Sequence, residues 1–175
     1  MNKIDNGFNI LYNIDNRKIN IKKGKMMKLP PIEKIHEAYS AITDNRVSIS
    51  ESDCQATVAS SNGAKNYTVT WSENIYSSND SATYWQGYPG YPVIAVLMLR
   101  EKLTLNREVA ALFADINWTE LNDIYKRDYS KAVVAIIQER ELDAVIINSA
   151  VNKVYDEIKE LDIVIKRGSL KPPKN

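Results

Sequence analysis

The period of the hydrophobic residues changes along this chain, and no other feature constrains its fold as strongly. Between residues 46 and 72 apolar and polar side chains alternate in three short runs, whose apolar members are Val47 and Ile49, Ala56 and Val58, and Tyr67, Val69 and Trp71. Residues 93–99 are apolar nearly all round, which predicts a helix in the middle of the domain, and from Trp118 onward apolar side chains recur every three or four positions. A period of two predicts strands, and a period near 3.6 predicts helices. The sequence therefore predicts an α+β fold, in which a small three-stranded antiparallel meander packs on one face against about five helices and the C-terminal half is helix-rich.

Turn and capping residues locate several elements. Asn62-Gly63 tolerates a positive φ, so the second and third strands should form a hairpin. Pro31 and Pro92 stand in the first turns of predicted helices 31–43 and 92–103. Asn106 and Asn117 match helix caps, the second with Glu120 at capping-box spacing. These signals divide the chain into short elements joined by polar turns.

The C-terminal third allows two interpretations. Ala144, Ile147, Val151, Val154, Ile158 and Leu161 follow a helical spacing, which favours one long last helix. Alternatively, residues 143–147 and 162–166 form short strands that flank a shorter helix. Asp128 to Ser130 could likewise cap a restart that divides the preceding helix in two.

Composition predicts one domain with basic ends. Residues 1–29 hold seven Lys or Arg against two Asp, and residues 166–175 hold four Lys or Arg and no acid. We expect a weakly ordered basic arm at 1–29, a single α+β domain at 30–165 and a basic tail at 166–175. The run Lys22-Lys23-Gly24-Lys25 before Met26 and Met27 also fits an upstream extension of the natural start, beside the alternative of a native tail.

Charge argues against several classes of partner. Residues 30–165 carry 12 basic and 20 acidic side chains, so the predicted folded part is acidic and should bind no nucleic acid. The longest apolar run, residues 91–99, is far shorter than a bilayer span, and no secretory signal opens the chain, so we expect no membrane association and a cytoplasmic location. No residue pattern predicts a metal or a cofactor.

The strongest functional signal lies between Tyr67 and Pro92. This segment contains seven of the thirteen Tyr and Trp residues, and residues 66–99 contain no Lys or Arg, which speaks against a phosphate ligand. Within it, a loop at 76–92 mixes rings with Ser, Asn, Gly and Pro, a composition found where proteins grip partners or neutral ligands. The predicted recognition residues are Tyr76, Tyr84, Trp85, Tyr88 and Tyr91. We interpret the chain as a soluble binding or interaction domain for a protein partner or a neutral small molecule.

An enzyme is the alternative interpretation. Glu73 and Asp80 could form a carboxylate pair beside the rings and act on a neutral polar substrate such as a sugar. Cys54 and His36 could in principle act as nucleophile and base, but neither lies in a catalytic motif. We expect Cys54 to be a small buried apolar residue and His36 to lie at the edge of a helix's apolar face. The sequence thus favours binding over catalysis.

Overall fold

The structure is a computed structural model that describes residues 27–174. Most of the predicted basic arm at 1–29, and the alternative start at Met26, lie outside this range. Of the arm's last three residues, Met27 packs against the core and Lys28 Nζ donates a hydrogen bond to the Gln86 carbonyl. Within it the chain forms five strands: β1 Val47–Ser50, β2 Gln55–Ala59, β3 Asn66–Ser72, β4 Ile75–Ser78 and β5 Val164–Arg167. It also forms six α-helices: α1 Lys34–Thr43, α2 Tyr91–Leu99, α3 Arg107–Ala111, α4 Trp118–Ile124, α5 Tyr129–Glu139 and α6 Ala144–Glu160. A π-helical turn at Ala82–Gln86 precedes α2.

The five strands form one mixed sheet in the order β1-β2-β3-β4-β5. The first four are antiparallel neighbours, and β5 runs parallel to β4 with Ile75 opposite Val164. In β2 the buried residues Ala56 and Val58 alternate with exposed neighbours, so one face of the sheet is turned toward the core. The predicted β2–β3 hairpin is confirmed, and Gly63 adopts the positive φ of +70° that its turn requires.

Helix α2 occupies the centre of the molecule, as its apolar composition predicts. Every residue from Pro92 to Met98 is buried, because α2 contacts β1, β3 and β4 and also packs against α1. Helix α1 in turn contacts α3 and α6, which places it between α2 and the C-terminal helices. The core thus lies between the inner face of the sheet and the helices stacked upon it.

The prediction of a three-stranded meander was wrong, because β4 and β5 complete a five-stranded mixed sheet. Strand β4 has four residues, and its apolar pair Ile75-Tyr76 followed by two serines shows no alternation that a sequence analysis could detect. Strand β5 depends on pairing with β4, which is distant along the chain. In the last segment, α6 is the long helix of the first interpretation, and the strand after it overlaps residues 162–166 of the second. Strand β5 also extends beyond residue 165, where the sequence analysis ended the domain.

No helix among residues 27–174 is long and apolar enough to cross a membrane. The longest, α6, has 17 residues and only one buried face.

Candidate functional site

The segment from Asn79 to Gly90 is held in shape by the buried carboxyl group of Asp80. Its Oδ1 accepts hydrogen bonds from the backbone N–H groups of Ala82 and Thr83, both at 3.0 Å, which fixes the start of the π-helical turn. Thr83 Oγ1 accepts a hydrogen bond of 3.0 Å from the N–H of Gly90, which closes the segment at the start of α2. We call residues 79–90 the tethered loop. Hydrogen bonds to the buried side chains of Asp80 and Thr83 therefore fix its backbone conformation.

The structure separates the five predicted recognition residues into groups. Tyr76 lies in β4, is buried, and shares a hydrogen bond with Arg100, so it belongs to the sheet and its core. Tyr84 packs edge-on against Trp85, with ring centroids 4.6 Å apart, on the side facing Arg167. Trp85, Tyr88 and Tyr91 converge on one cavity. Three of the five residues are thus brought together.

This cavity has a volume of about 610 Å³ and lies between the tethered loop, the β2–β3 hairpin, α1, α4 and the start of α5. Such a volume is typical of small-molecule sites. Six aromatic side chains line it: Tyr67, Trp85, Tyr88, Tyr91, Trp118 and Tyr129. We call it the ring-lined cavity.

A buried polar group forms part of the cavity wall. Lys34 Nζ lies 2.8 Å from Glu37 Oε1 and 3.8 Å from the centre of the Tyr129 ring. Asn122 Nδ2 donates to the same Glu37 oxygen at 3.3 Å, so one carboxylate oxygen receives both contacts. Burial lowers the pKa of Lys34, but Glu37 and Tyr129 raise it, and the net shift is upward. Lys34 is therefore a fixed ammonium group beside the aromatic walls.

Three lining side chains contain a buried polar atom that has no hydrogen-bond partner within residues 27–174. These atoms are Asp80 Oδ2, Trp118 Nε1 and Asn122 Oδ1. A buried polar atom without a partner costs roughly 1–3 kcal/mol. Such a cost is tolerated at sites where another molecule supplies the partner, so the wall retains unused hydrogen-bonding capacity.

The cavity also contains more positive charge than the sequence analysis expected. Lys34, Arg46, Lys65 and Arg127 all line it, whereas the argument against an anionic ligand considered only the segment between residues 66 and 99. Helices and the β2–β3 hairpin bring these basic residues to the loop from elsewhere in the chain. Burial raises the pKa of Asp80, one of the two buried acidic groups of the cavity, above its usual value.

The candidate catalytic residues lie in different environments. Glu73 is exposed in the tight turn between β3 and β4, with φ at +53°, and does not line the cavity that Asp80 lines. Cys54 was expected to be buried, but it is exposed at the turn before β2, where its φ is +50°. His36 is buried in α1 with its ring edge-on to Phe113, and burial lowers its pKa to about 4. The expectation that His36 lies at the edge of the apolar face was therefore also wrong.

Sequence reasoning missed the residues of the polar wall. Lys34 and Glu37 stand three residues apart on α1, a spacing that normally indicates an exposed ion pair, and only their burial distinguishes them. Trp118 could be assigned to a helix stripe but not to a cavity. No group of three or more His, Cys, Asp or Glu side chains that could hold a metal ion occurs in the described part of the chain.

Comparison with known proteins gives one match. The model of the family described as uncharacterised conserved protein UCP014422 matches residues 27–164. No curated protein and no solved structure matches the chain.

Proposed function

Because the chain belongs to this family of uncharacterised conserved proteins, matched over residues 27–164, we propose a function from its own cavity. The domain binds a small polyhydroxylated ring molecule of monosaccharide size in the ring-lined cavity. The observation that supports this proposal is the placement of aromatic walls beside the buried Lys34–Glu37–Asn122 group.

A sugar ring presents an apolar C–H face and a polar rim, so it needs both kinds of surface at once. The aromatic side chains that line the cavity can pack against this apolar face. The carboxylate of Glu37 can accept a hydrogen bond from a hydroxyl group, and Lys34 can donate one to a hydroxyl oxygen. Hydroxyl-bearing residues, among them Ser60 and Thr119, also line the cavity. The wall therefore matches the chemistry of a polyol.

The shape of the site favours a small ligand over a protein partner. A stable protein interface buries roughly 800 Å² on each side, mostly on a flat surface. Here the rings turn inward around a cavity of about 610 Å³, and of the lining aromatic residues only Trp85 is strongly exposed. A protein partner would contact Trp85 and leave most of the lining rings uncovered.

The proposal requires no catalytic step. Both buried carboxyl groups that line the cavity already serve other contacts, since Glu37 pairs with Lys34 and Asp80 accepts the N–H groups of Ala82 and Thr83. An acid–base pair would need groups free to exchange protons with a substrate. Binding accounts for the arrangement without that requirement.

Thermal melting in the presence of sugars tests the proposal. Six-carbon sugars of gluco, galacto and manno configuration are supplied as the neutral sugar, the uronate and the 6-phosphate. Binding raises the melting temperature with a saturable dependence on concentration. Ser81→Trp places a large ring at an exposed position of the cavity and should abolish the shift, whereas Ser149→Trp on the exposed face of α6 should retain it. If no sugar gives a saturable shift, or if Ser81→Trp leaves every shift intact, the proposal is wrong.

A further inference from the structure

The charge of the ring-lined cavity differs from that of the domain around it. Residues 30–165 contain 20 acidic and only 12 basic side chains, yet four of those 12 line this one cavity. Three acidic residues also line it: Glu37, Asp80 and Asp123. The lining thus has one more basic than acidic residue, whereas residues 30–165 have eight more acidic than basic residues.

Lys65 takes part in an interaction of its own, and Lys34 and Arg46 have structural partners. Lys34 is paired with Glu37, as described above. Arg46 donates to Asp44 at 3.3 Å, to the Ala59 carbonyl at 2.9 Å and to Ser40 Oγ at 2.9 Å, so its guanidinium ties α1 to the β2–β3 hairpin. These contacts account for the positions of both groups inside the fold.

Arg127 differs from these residues. It is exposed at the cavity, and no carboxylate, carbonyl or aromatic ring within residues 27–174 contacts its guanidinium. Its backbone is nevertheless fixed, because its N–H donates to the Asn122 carbonyl at 2.7 Å and holds the residue at a φ of +63°. The side chain of Asn122 is the group that contacts Glu37. The end of α4 and the turn after it therefore position both the polar wall, through Asn122, and the guanidinium of Arg127, which has no partner within residues 27–174.

We propose that the ligand of the ring-lined cavity carries a carboxylate or phosphate group and that Arg127 binds this anion. The inference rests on the proposed function and narrows it to acidic sugars. A guanidinium presents parallel N–H donors that match two oxygens of a carboxylate or phosphate, and such charge-assisted pairs are stronger than neutral hydrogen bonds. The aromatic walls then hold the ring, and Arg127 sets its orientation.

Calorimetric titration of the full chain tests this assignment with the neutral, uronate and 6-phosphate forms of each sugar. The dissociation constant of an acidic form should be at least about tenfold lower than that of the neutral sugar of the same configuration. The uronate and the 6-phosphate are separate arms, so whichever shows this advantage identifies the anion. Arg127→Gln should remove the advantage while leaving the dissociation constant of the neutral sugar within about twofold.

Lys126→Gln provides a matched control. It removes the same charge one residue away, from an exposed position that does not line the cavity, and should change the dissociation constants by less than about twofold. Arg127→Lys keeps the charge but lacks the fork and should retain part of the advantage. If neutral and acidic sugars bind equally, or if Lys126→Gln weakens binding as much as Arg127→Gln, the anion assignment fails while the sugar site stands. If no sugar binds, both proposals fail.

Discussion

Replacing Gly90 by alanine should destabilise the domain strongly, because the carboxyl group of Asp80 occupies the space that a side chain would need. A Cβ at residue 90 would lie 2.7 Å from Asp80 Cγ and closer still to Oδ1. The carboxyl group is buried and tied to two backbone N–H groups, so it can move only by breaking those bonds. Overpacking costs about 1–3 kcal/mol and a lost cap about 1 kcal/mol, so we expect a total of about 3 kcal/mol.

Chemical denaturation of a double-mutant cycle measures this coupling. In the Asp80→Ala background the obstructing group is gone, so Gly90→Ala should cost less than about 1 kcal/mol. Gly87→Ala serves as a control in the same loop: its φ is +74° and no atom lies within 4 Å of the added Cβ, so it should cost about 1 kcal/mol from backbone strain in either background. If Gly90→Ala costs the same with and without Asp80, the explanation by steric conflict is refuted.

Three further predictions concern single residues. Trp85→Ala should change stability by less than about 1 kcal/mol because the ring is 61% exposed, whereas Tyr76→Ala should cost about 3–5 kcal/mol because that ring is buried. Denaturant titration compares the two variants. A large loss of stability for Trp85→Ala would contradict the exposed position of this ring. Gly63→Val places a β-branched residue at a φ of +70° and should cost about 1–3 kcal/mol, so an unchanged melting temperature would refute the role of this turn. His36 has a pKa of about 4 in the fold against 6.5 when unfolded, so the unfolded chain binds the proton first as the pH falls. The free energy of unfolding should therefore decrease by roughly 3 kcal/mol between pH 6.5 and pH 4. His36→Phe should flatten this part of the pH profile, and an unchanged profile would contradict the prediction.

Local signals allowed much of the fold to be predicted. Asn106, Asn117 and Asp128 were identified as cap candidates from residue type and spacing, and each accepts a backbone hydrogen bond at the start of its helix. The Asn62-Gly63 hairpin follows from the φ values that these residues tolerate. Strand β5 could be predicted only as an alternative, a short strand at residues 162–166, because it exists through its pairing with β4 and nothing within its four residues requires a strand.

The candidate site was less predictable for the same reason. Trp85, Tyr88 and Tyr91 could be found because rings and small polar residues are mixed within one short segment. Lys34 could not, because a lysine on a helix is ordinarily exposed, and its burial depends on the ring of Tyr129, far away in the chain. The basic residues of the cavity could not be assigned to it either, since Arg127 is absent from the segment but lines the cavity that the segment completes.

The three tryptophan indole signals in a nitrogen–proton correlation spectrum test the central claim most directly. Trp85 and Trp118 line the ring-lined cavity, whereas Trp71 lies in β3, stacked on Tyr76 with ring centroids 6.4 Å apart, and does not line it. Titration with the sugar that gives the largest melting shift should move the indole signals of Trp85 and Trp118 with one common, saturable dissociation constant while that of Trp71 stays in place. Movement of all three signals, or of none, would contradict a ligand site in this cavity.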